Sequence, residues 1–237
     1  KHDGRQKARV VAGGHLTKTP VDSIYSGVVS LKGIRTLLFL AELNKLECRL
    51  TDIGNAYLEA VTKEKVYIIV GPEFGELEWK YILVSKALYS LKSAGASFRS
   101  FLAKKFDSMG FISCVADPDV WRRPAKKDTG DDYYEYIMTY VDDLIAISVD
   151  AVGILEEVKK SVTLKGDKIE PPEIYLGAKL STKIMDGVKR WTISSDKYVE
   201  AAVKNVDELI KKKPSYKVDR NQKTPMSGNF ISELDGS

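Results

Sequence analysis

Tyr140-Val141-Asp142-Asp143 sits between two apolar runs, Tyr136-Ile137-Met138-Thr139 before it and Leu144-Ile145-Ala146-Ile147 after it. Aromatic and β-branched residues dominate both runs, which predicts two buried strands. An acidic break between such runs predicts a tight hairpin with the carboxylates at its tip. Two negative charges held side by side on a rigid hairpin repel each other and need a compensating cation. Mg²⁺ suits them, being a hard ion that takes carboxylate, water and phosphate oxygen. A second Asp pair shows how much the surroundings matter. Asp131-Asp132 follows the polar stretch Lys126-Lys127-Asp128-Thr129-Gly130, and there a solvated turn is expected.

A third carboxylate extends the pattern. In Arg49-Leu50-Thr51-Asp52-Ile53-Gly54-Asn55-Ala56-Tyr57-Leu58, Asp52 ends a short strand-like run just before a Gly-Asn turn signal. A lone Asp there is ordinarily a cap or turn residue. Together with the hairpin pair it matches two-metal phosphoryl transfer, in which ions about 3.5–4 Å apart clamp the attacking and leaving oxygens. Carboxylates from two different strands can bridge such a pair.

Five segments in this order resemble the reverse transcriptase domain of copia-type retrotransposon polyproteins, over nearly the whole chain. They are Arg5-Gln6-Lys7-Ala8-Arg9-Val10-Val11-Ala12-Gly13-Gly14, Thr51-Asp52-Ile53-Gly54-Asn55-Ala56-Tyr57-Leu58, Lys86-Ala87-Leu88-Tyr89-Ser90-Leu91-Lys92, Tyr140-Val141-Asp142-Asp143 and Tyr175-Leu176-Gly177. The resemblance implies an RNA-directed DNA polymerase that adds dNTPs to a primer 3′-hydroxyl. Asp52, Asp142 and Asp143 match its catalytic, metal-holding aspartates for two Mg²⁺ ions, with Mn²⁺ an alternative, and the Ile53 carbonyl is an implied extra ligand. Tyr57 matches the ring that packs under the nucleotide sugar and leaves no room for a ribose 2′-hydroxyl. Lys7 and Arg9 match the basic positions that grip the triphosphate, where the planar arginine fork bonds phosphate oxygens in pairs. Ser90 stands in the dNTP pocket where the family has Gly. Tyr175, Leu176 and Gly177 resemble the primer-grip turn, and with Tyr140 they are expected to meet primer and template. The stretch Ser93-Ala94-Gly95-Ala96-Ser97-Phe98 departs from the family's Gln-Ala-Pro-Arg-Ala-Trp, keeping Ala94 and an aromatic at Phe98.

Composition agrees with this reading and adds little. At 237 residues, 43% hydrophobic and 30% charged, the chain suits one large domain or two lobes of an ordinary soluble protein. The net charge of +4 is too mild to indicate nucleic acid by itself. Lysine pairs such as Lys104-Lys105 and Lys159-Lys160 suit solvated faces, some of them along a phosphate backbone. Two cysteines, Cys48 and Cys114, give neither a disulfide framework nor a zinc spacing, which fits a reducing compartment. With no signal peptide and no apolar run of membrane-spanning length, no membrane partner is expected. The expected setting is intracellular, a cytoplasmic virus-like particle. The expected partners are a primed RNA or DNA template, dNTPs, and the RNase H and integrase segments of a longer polyprotein. A chain opening at Lys1 reads as a piece of such a polyprotein.

Periodicity predicts an α+β fold. A strand at 8–12 precedes a helix carrying Ile34, Leu37, Leu38, Ala41 and Leu43. Strands follow at 48–53, 66–70 and 81–84, then a helix at 94–109 stopped by Gly110. A short strand through Val120 and Trp121 leads into the acidic hairpin. Next come a helix after Asp150 bearing Ile154, Leu155, Val158 and Val162, and a hairpin turning near Met185-Asp186-Gly187. A last helix carries Val199, Ala202, Val203, Val206 and Leu209. This order suits an antiparallel sheet backed on one face by two helices, a ferredoxin-like palm. The resemblance implies a right-hand polymerase architecture: fingers at 1–27 and 60–92, palm at 28–59 and 93–182, a partial thumb at 183–223 and a linker at 224–237. The apolar face of the last helix is expected to pack within the thumb. Two rivals stand beside this reading. One is a nucleotidyl cyclase on a similar palm; the other is a catalytically decayed copy that only binds nucleic acid or assembles with a partner.

Overall fold

A computed structural model describes residues 10–21 and 24–212. Lys7, Arg9, the first two residues of the predicted first strand, the end of the expected thumb and the 224–237 linker lie outside the described residues. In chain order the elements are α1 (Leu31–Leu43), β1 (Glu47–Asp52), α2 (Ala56–Glu59), β2 (Tyr67–Ile69) and β3 (Tyr81–Leu83). Then come α3 (Ala94–Ser108), β4 (Ile112–Ser113), β5 (Val120–Lys126), β6 (Asp132–Tyr140), β7 (Asp143–Ser148) and α4 (Ala151–Lys159). The described chain ends with β8 (Ile174–Tyr175), β9 (Ala178–Met185), β10 (Val188–Ser194) and α5 (Asp196–Lys212). This is an α+β fold.

Five strands form one antiparallel sheet in the order β1-β7-β6-β5-β4. Alternation along its central strands divides the core in two. Ile137, Leu144 and Ala146 point into a cluster with Phe98, Leu102 and Phe106 of α3 and Ile154, Leu155 and Val158 of α4. Met138, Ile145 and Ile147 point the other way, toward Leu37, Leu38 and Ala41 of α1 and toward Tyr175 and Leu180. Both faces are therefore covered, which explains the unbroken apolar run in β7. The expectation of helices backing one face holds for α3 and α4. It missed that α1 and the β10-β9-β8 sheet cover the opposite face.

Local chemistry sets the ends of these elements. Ser30 Oγ caps α1 by accepting from the Gly33 N–H at 2.9 Å, and itself donates to Asp117 at 2.8 Å. Asp150 caps α4 by accepting from the Gly153 N–H at 2.8 Å. That helix stops at Lys159, so Val162 is buried beyond it rather than on it. Leu43, placed on the buried stripe of α1, is exposed. The strand at Val120 and Trp121 runs on to Lys126 despite Pro124, because β4 pairs only with Trp121 and Arg122 and leaves that edge of β5 open. Arg123 lies inside this strand and holds it to its neighbours. Its guanidinium donates to Glu135 at 2.8 Å and to the Met109 carbonyl at 2.6 Å.

One further expectation is corrected, and another extends past the described residues. Residues 10–12 form no extended strand, and Val11 makes a single parallel bridge to Tyr89. The stripe of α5 is uncovered among the described residues: Val199, Val203, Val206 and Leu209 are each at least half exposed.

Ser90 takes a left-handed backbone, with φ of 71°. Its side chain is exposed, and its backbone conformation is one that Gly adopts without strain. The segment before it is pressed close: a Cβ on Gly14 would lie 1.8 Å from the Ser90 carbonyl oxygen. An L-residue in this conformation costs about 1–2 kcal/mol relative to its ordinary wells, and Gly does not incur that cost. Ser90→Gly is expected to raise unfolding stability by up to about 1 kcal/mol, after the larger backbone entropy of Gly in the unfolded chain is counted. Urea unfolding of parent and variant measures the difference.

Candidate active site

The antiparallel register places Asp52, the last residue of β1, directly opposite Asp143, the first residue of β7. On its other side Asp143 pairs with Tyr140, so β6 and β7 are joined by the two-residue loop Val141-Asp142. The loop is pinned to β1 because the Ile53 N–H donates to the Asp142 carbonyl at 2.8 Å. Val141 has φ of 57°, a left-handed conformation that a β-branched side chain rarely adopts. The sheet around it holds the turn in that shape. Asp52, Asp142 and Asp143, separated by 90 residues of chain, thus share one end of the sheet.

Charge at this end is concentrated and partly desolvated. The Asp143 carboxyl is pushed up to about 6, first by burial and then by the negative charges of Asp142 and Asp52. Lys165 works against that shift. Its ammonium donates to Asp52 Oδ2, which raises the lysine's own pKa, and it feels Asp142 and Asp143 as well. Backbone pairing brings it there: Ile53 bridges Leu164, and the Gly54 N–H donates to the Thr163 carbonyl at 2.8 Å. The other Asp52 oxygen, Oδ1, is buried without a hydrogen-bond partner among the described residues.

The donor chemistry fits a hard divalent cation: three carboxylates, one with a buried oxygen unpartnered among the described residues and one whose ionisation is resisted by burial and by its like-charged neighbours. Among the described residues, no three carboxylate, histidine or cysteine side chains are drawn together as a ligand cage. Asp52 Oδ2 is instead taken by Lys165, a residue the sequence gave no reason to separate from Lys168 or Lys160. The pairing that delivers it joins residues more than a hundred positions apart.

The other candidates fall at different distances from this end. Tyr57 lies on α2, which follows the left-handed Asn55 of the Gly-Asn turn. Burial raises its phenol pKa, as do the charge of Asp142 and the neighbouring Tyr89. Ile53 is buried beneath the site. Ser90 is exposed on the segment that carries Tyr89. Tyr140 is half-buried. Tyr175 is 3% exposed and belongs to the core, so its ring presents no surface to primer or template. Its hydroxyl has no hydrogen-bond partner among the described residues, and burial, Asp143 and Tyr140 hold its pKa high. Leu176 and Gly177 form the two-residue turn joining β8 to β9, both with positive φ, and they are exposed. Only this tip of the expected grip faces outward. Cys48 is buried and its thiol is pushed up to about 12, which removes it as a nucleophile.

Residues 1–217 match the family described as reverse transcriptase (RNA-dependent DNA polymerase). The chain is 28% identical, over 95% of its own length and 16% of the relative's, to the retrovirus-related Pol polyprotein from transposon TNT 1-94 of Nicotiana tabacum. It is 29% identical to the corresponding polyprotein of transposon RE1 of Arabidopsis thaliana, over 62% of this chain and 10% of the relative. It is 31% identical to the Ty1-DR5 Gag-Pol polyprotein of Saccharomyces cerevisiae, over 75% of this chain and 10% of the relative. No solved structure matches it. The chain therefore belongs to the reverse transcriptase family, as a copia-type domain, and it spans between a tenth and a sixth of the length of these Pol polyproteins.

The Asp143 shift predicts a pH dependence of stability. An acid whose folded pKa is raised contributes stability that is fully present below its unfolded value near 4 and is lost as pH rises through about 6. Asp143→Asn removes that loss. In metal-free buffer the variant is expected to be more stable than the parent at pH 7, with the difference shrinking toward pH 4. Urea unfolding at the two pH values checks both the sign and the narrowing.

Proposed function

We propose that this chain is the catalytic core of an RNA-directed DNA polymerase of right-hand architecture, working as a segment of a longer Pol polyprotein. The observation that carries the reading is the register that sets Asp52 opposite Asp143 with Asp142 on the adjoining turn, in a chain of the reverse transcriptase family. In this reading the five-stranded sheet with α3 and α4 is the palm. Residues 1–27 and 60–92 are fingers, 183–223 are part of a thumb, and 224–237 lead toward RNase H and integrase segments. No helix among the described residues is long and apolar enough to cross a membrane. The proposed setting is intracellular.

Asp52, Asp142 and Asp143 would hold two Mg²⁺ ions, or Mn²⁺ in their place. When bound, such ions lower the pKa of a primer 3′-hydroxyl and neutralise the departing pyrophosphate. The rest of the task falls to the protein. The strand register fixes the backbone positions from which the carboxylates project, so gathering them around a cation takes side-chain rearrangement and not a change of fold. Lys165 keeps Asp52 paired and must give up that oxygen for it to serve as a ligand. Tyr57 walls off the sugar pocket against a 2′-hydroxyl, and Ser90 lies along the nucleotide. Lys7 and Arg9 bind the triphosphate through charge-assisted hydrogen bonds. Tyr140 and the exposed Leu176-Gly177 turn contact primer and template, with Tyr175 supporting the turn from the core.

A primer-extension assay on primed RNA and primed DNA, with all four dNTPs and Mg²⁺, tests the proposal. The parent chain is expected to extend both, and chelation of the metal to stop it. Asp142→Asn and Asp143→Asn are each expected to lower the rate by about 10²-fold or more, the scale on which loss of one preorganised electrostatic group is felt. Variants that extend as fast as the parent would remove these residues from the chemistry.

A further inference from the structure

Tyr57 stands on a helix of four residues, too short to be rigid by itself. A single ring can exclude one extra oxygen only if it cannot swing aside. Two other rings touch it. Phe98 of α3, fully buried, meets it edge-on at 6.0 Å between centroids. Tyr89 is closer, at 5.1 Å and an interplanar angle of 54°. Offset and tilted geometries of this kind are the favoured ones for aromatic pairs.

Tyr89 is itself held firmly. Its carbonyl accepts from the Ala12 N–H at 2.8 Å, and Val11 bridges it from the same segment. The next residue is Ser90, whose left-handed backbone lies against Gly14 with no room for a Cβ. Three residues on from Tyr89, Lys92 donates to the Thr17 carbonyl at 2.7 Å and to Thr19 Oγ1 at 3.3 Å. The 12–19 loop is thereby clasped to the segment that presents Tyr89. Tyr89 thus links the ring of Tyr57 to this clasp.

We infer that Tyr89 is a positioning residue for sugar selection. Its ring buttresses Tyr57 and transmits the fixed geometry of the 12–19 clasp to the wall of the nucleotide pocket. The inference rests on the reading of Tyr57 as the residue that excludes a ribose 2′-hydroxyl, and it adds to that reading the part that keeps the wall in place.

The test uses the 237-residue chain on a primed template with one deoxynucleotide and its ribonucleotide counterpart. Equilibrium binding to the primed complex and kcat/KM for extension are both measured. Tyr89→Ala is expected to raise relative ribonucleotide use about three- to tenfold, the range set by the loss of one aromatic pair, mainly through a lower ribonucleotide KM. Tyr89→Phe, which keeps the ring, is expected to retain the parent's ratio. In a Tyr57→Ala background the same Tyr89→Ala change is expected to add nothing, because the two rings act as one unit. Should Tyr89→Ala fail to fold, Tyr89→Leu carries the test, with a smaller shift in the same direction. Relaxed selection in Tyr57→Ala with an unchanged ratio in folded Tyr89→Ala or Tyr89→Leu overturns the role of Tyr89 alone. An unchanged ratio in Tyr57→Ala, or a chain that binds neither nucleotide, overturns the sugar-wall reading and the buttress with it.

Discussion

The site depends on one constraint, the antiparallel register between β1 and β7. Sliding β1 by a single residue would turn Asp52 to the opposite face of the sheet and send the apolar set of β1 with it. Burial on both faces forbids the slip. Leu144 and Ala146 are locked against α3 and α4, while Ile145 and Ile147 are locked against α1 and the smaller sheet. The hydrophobic core therefore does more than stabilise the fold. It holds two carboxylates opposite each other against their own repulsion.

That repulsion is visible in the chemistry of the site. Asp143 resists ionisation, Lys165 pairs with Asp52 and feels the other two carboxylates, and one Asp52 oxygen is buried without a partner among the described residues. A cluster of this kind is poor as structural cement, since paired carboxylates destabilise the folded chain. Its persistence at the tip of a well-packed hairpin suits a role in holding charge that arrives from outside. The left-handed Val141 belongs to the same trade, a local strain sustained by the packed strands on either side.

Much of the molecule was legible from its residues because the signals were local. Asp150 marks the start of α4, and the spacing of Ile34, Leu37, Leu38 and Ala41 marks α1. The spacing of Phe98, Leu102 and Phe106 marks α3, and the Gly-Asn pair at 54–55 marks the break after β1. Where expectation failed, the deciding contact was distant in the chain. Tyr175 reads as an exposed member of a grip but is drawn into the core by α1 and the sheet. Val199 to Leu209 read as a packed stripe, yet the partner such a stripe requires is not among the described residues. Strand β5 runs past Pro124 because β4 is only two residues long, a fact about its neighbour rather than its own composition.

By itself the sequence determined the α+β class and the acidic hairpin and singled out Asp52, Asp142 and Asp143, since periodicity, turn chemistry and motif order are properties of neighbouring residues. Tertiary structure alone decided that Asp52 faces Asp143, that Lys165 pairs with Asp52 and that the rings of Tyr89 and Tyr57 meet. Each of these pairs joins segments between about 30 and more than 100 residues apart. Such meetings follow from strand register and core packing, which no local pattern in the chain encodes.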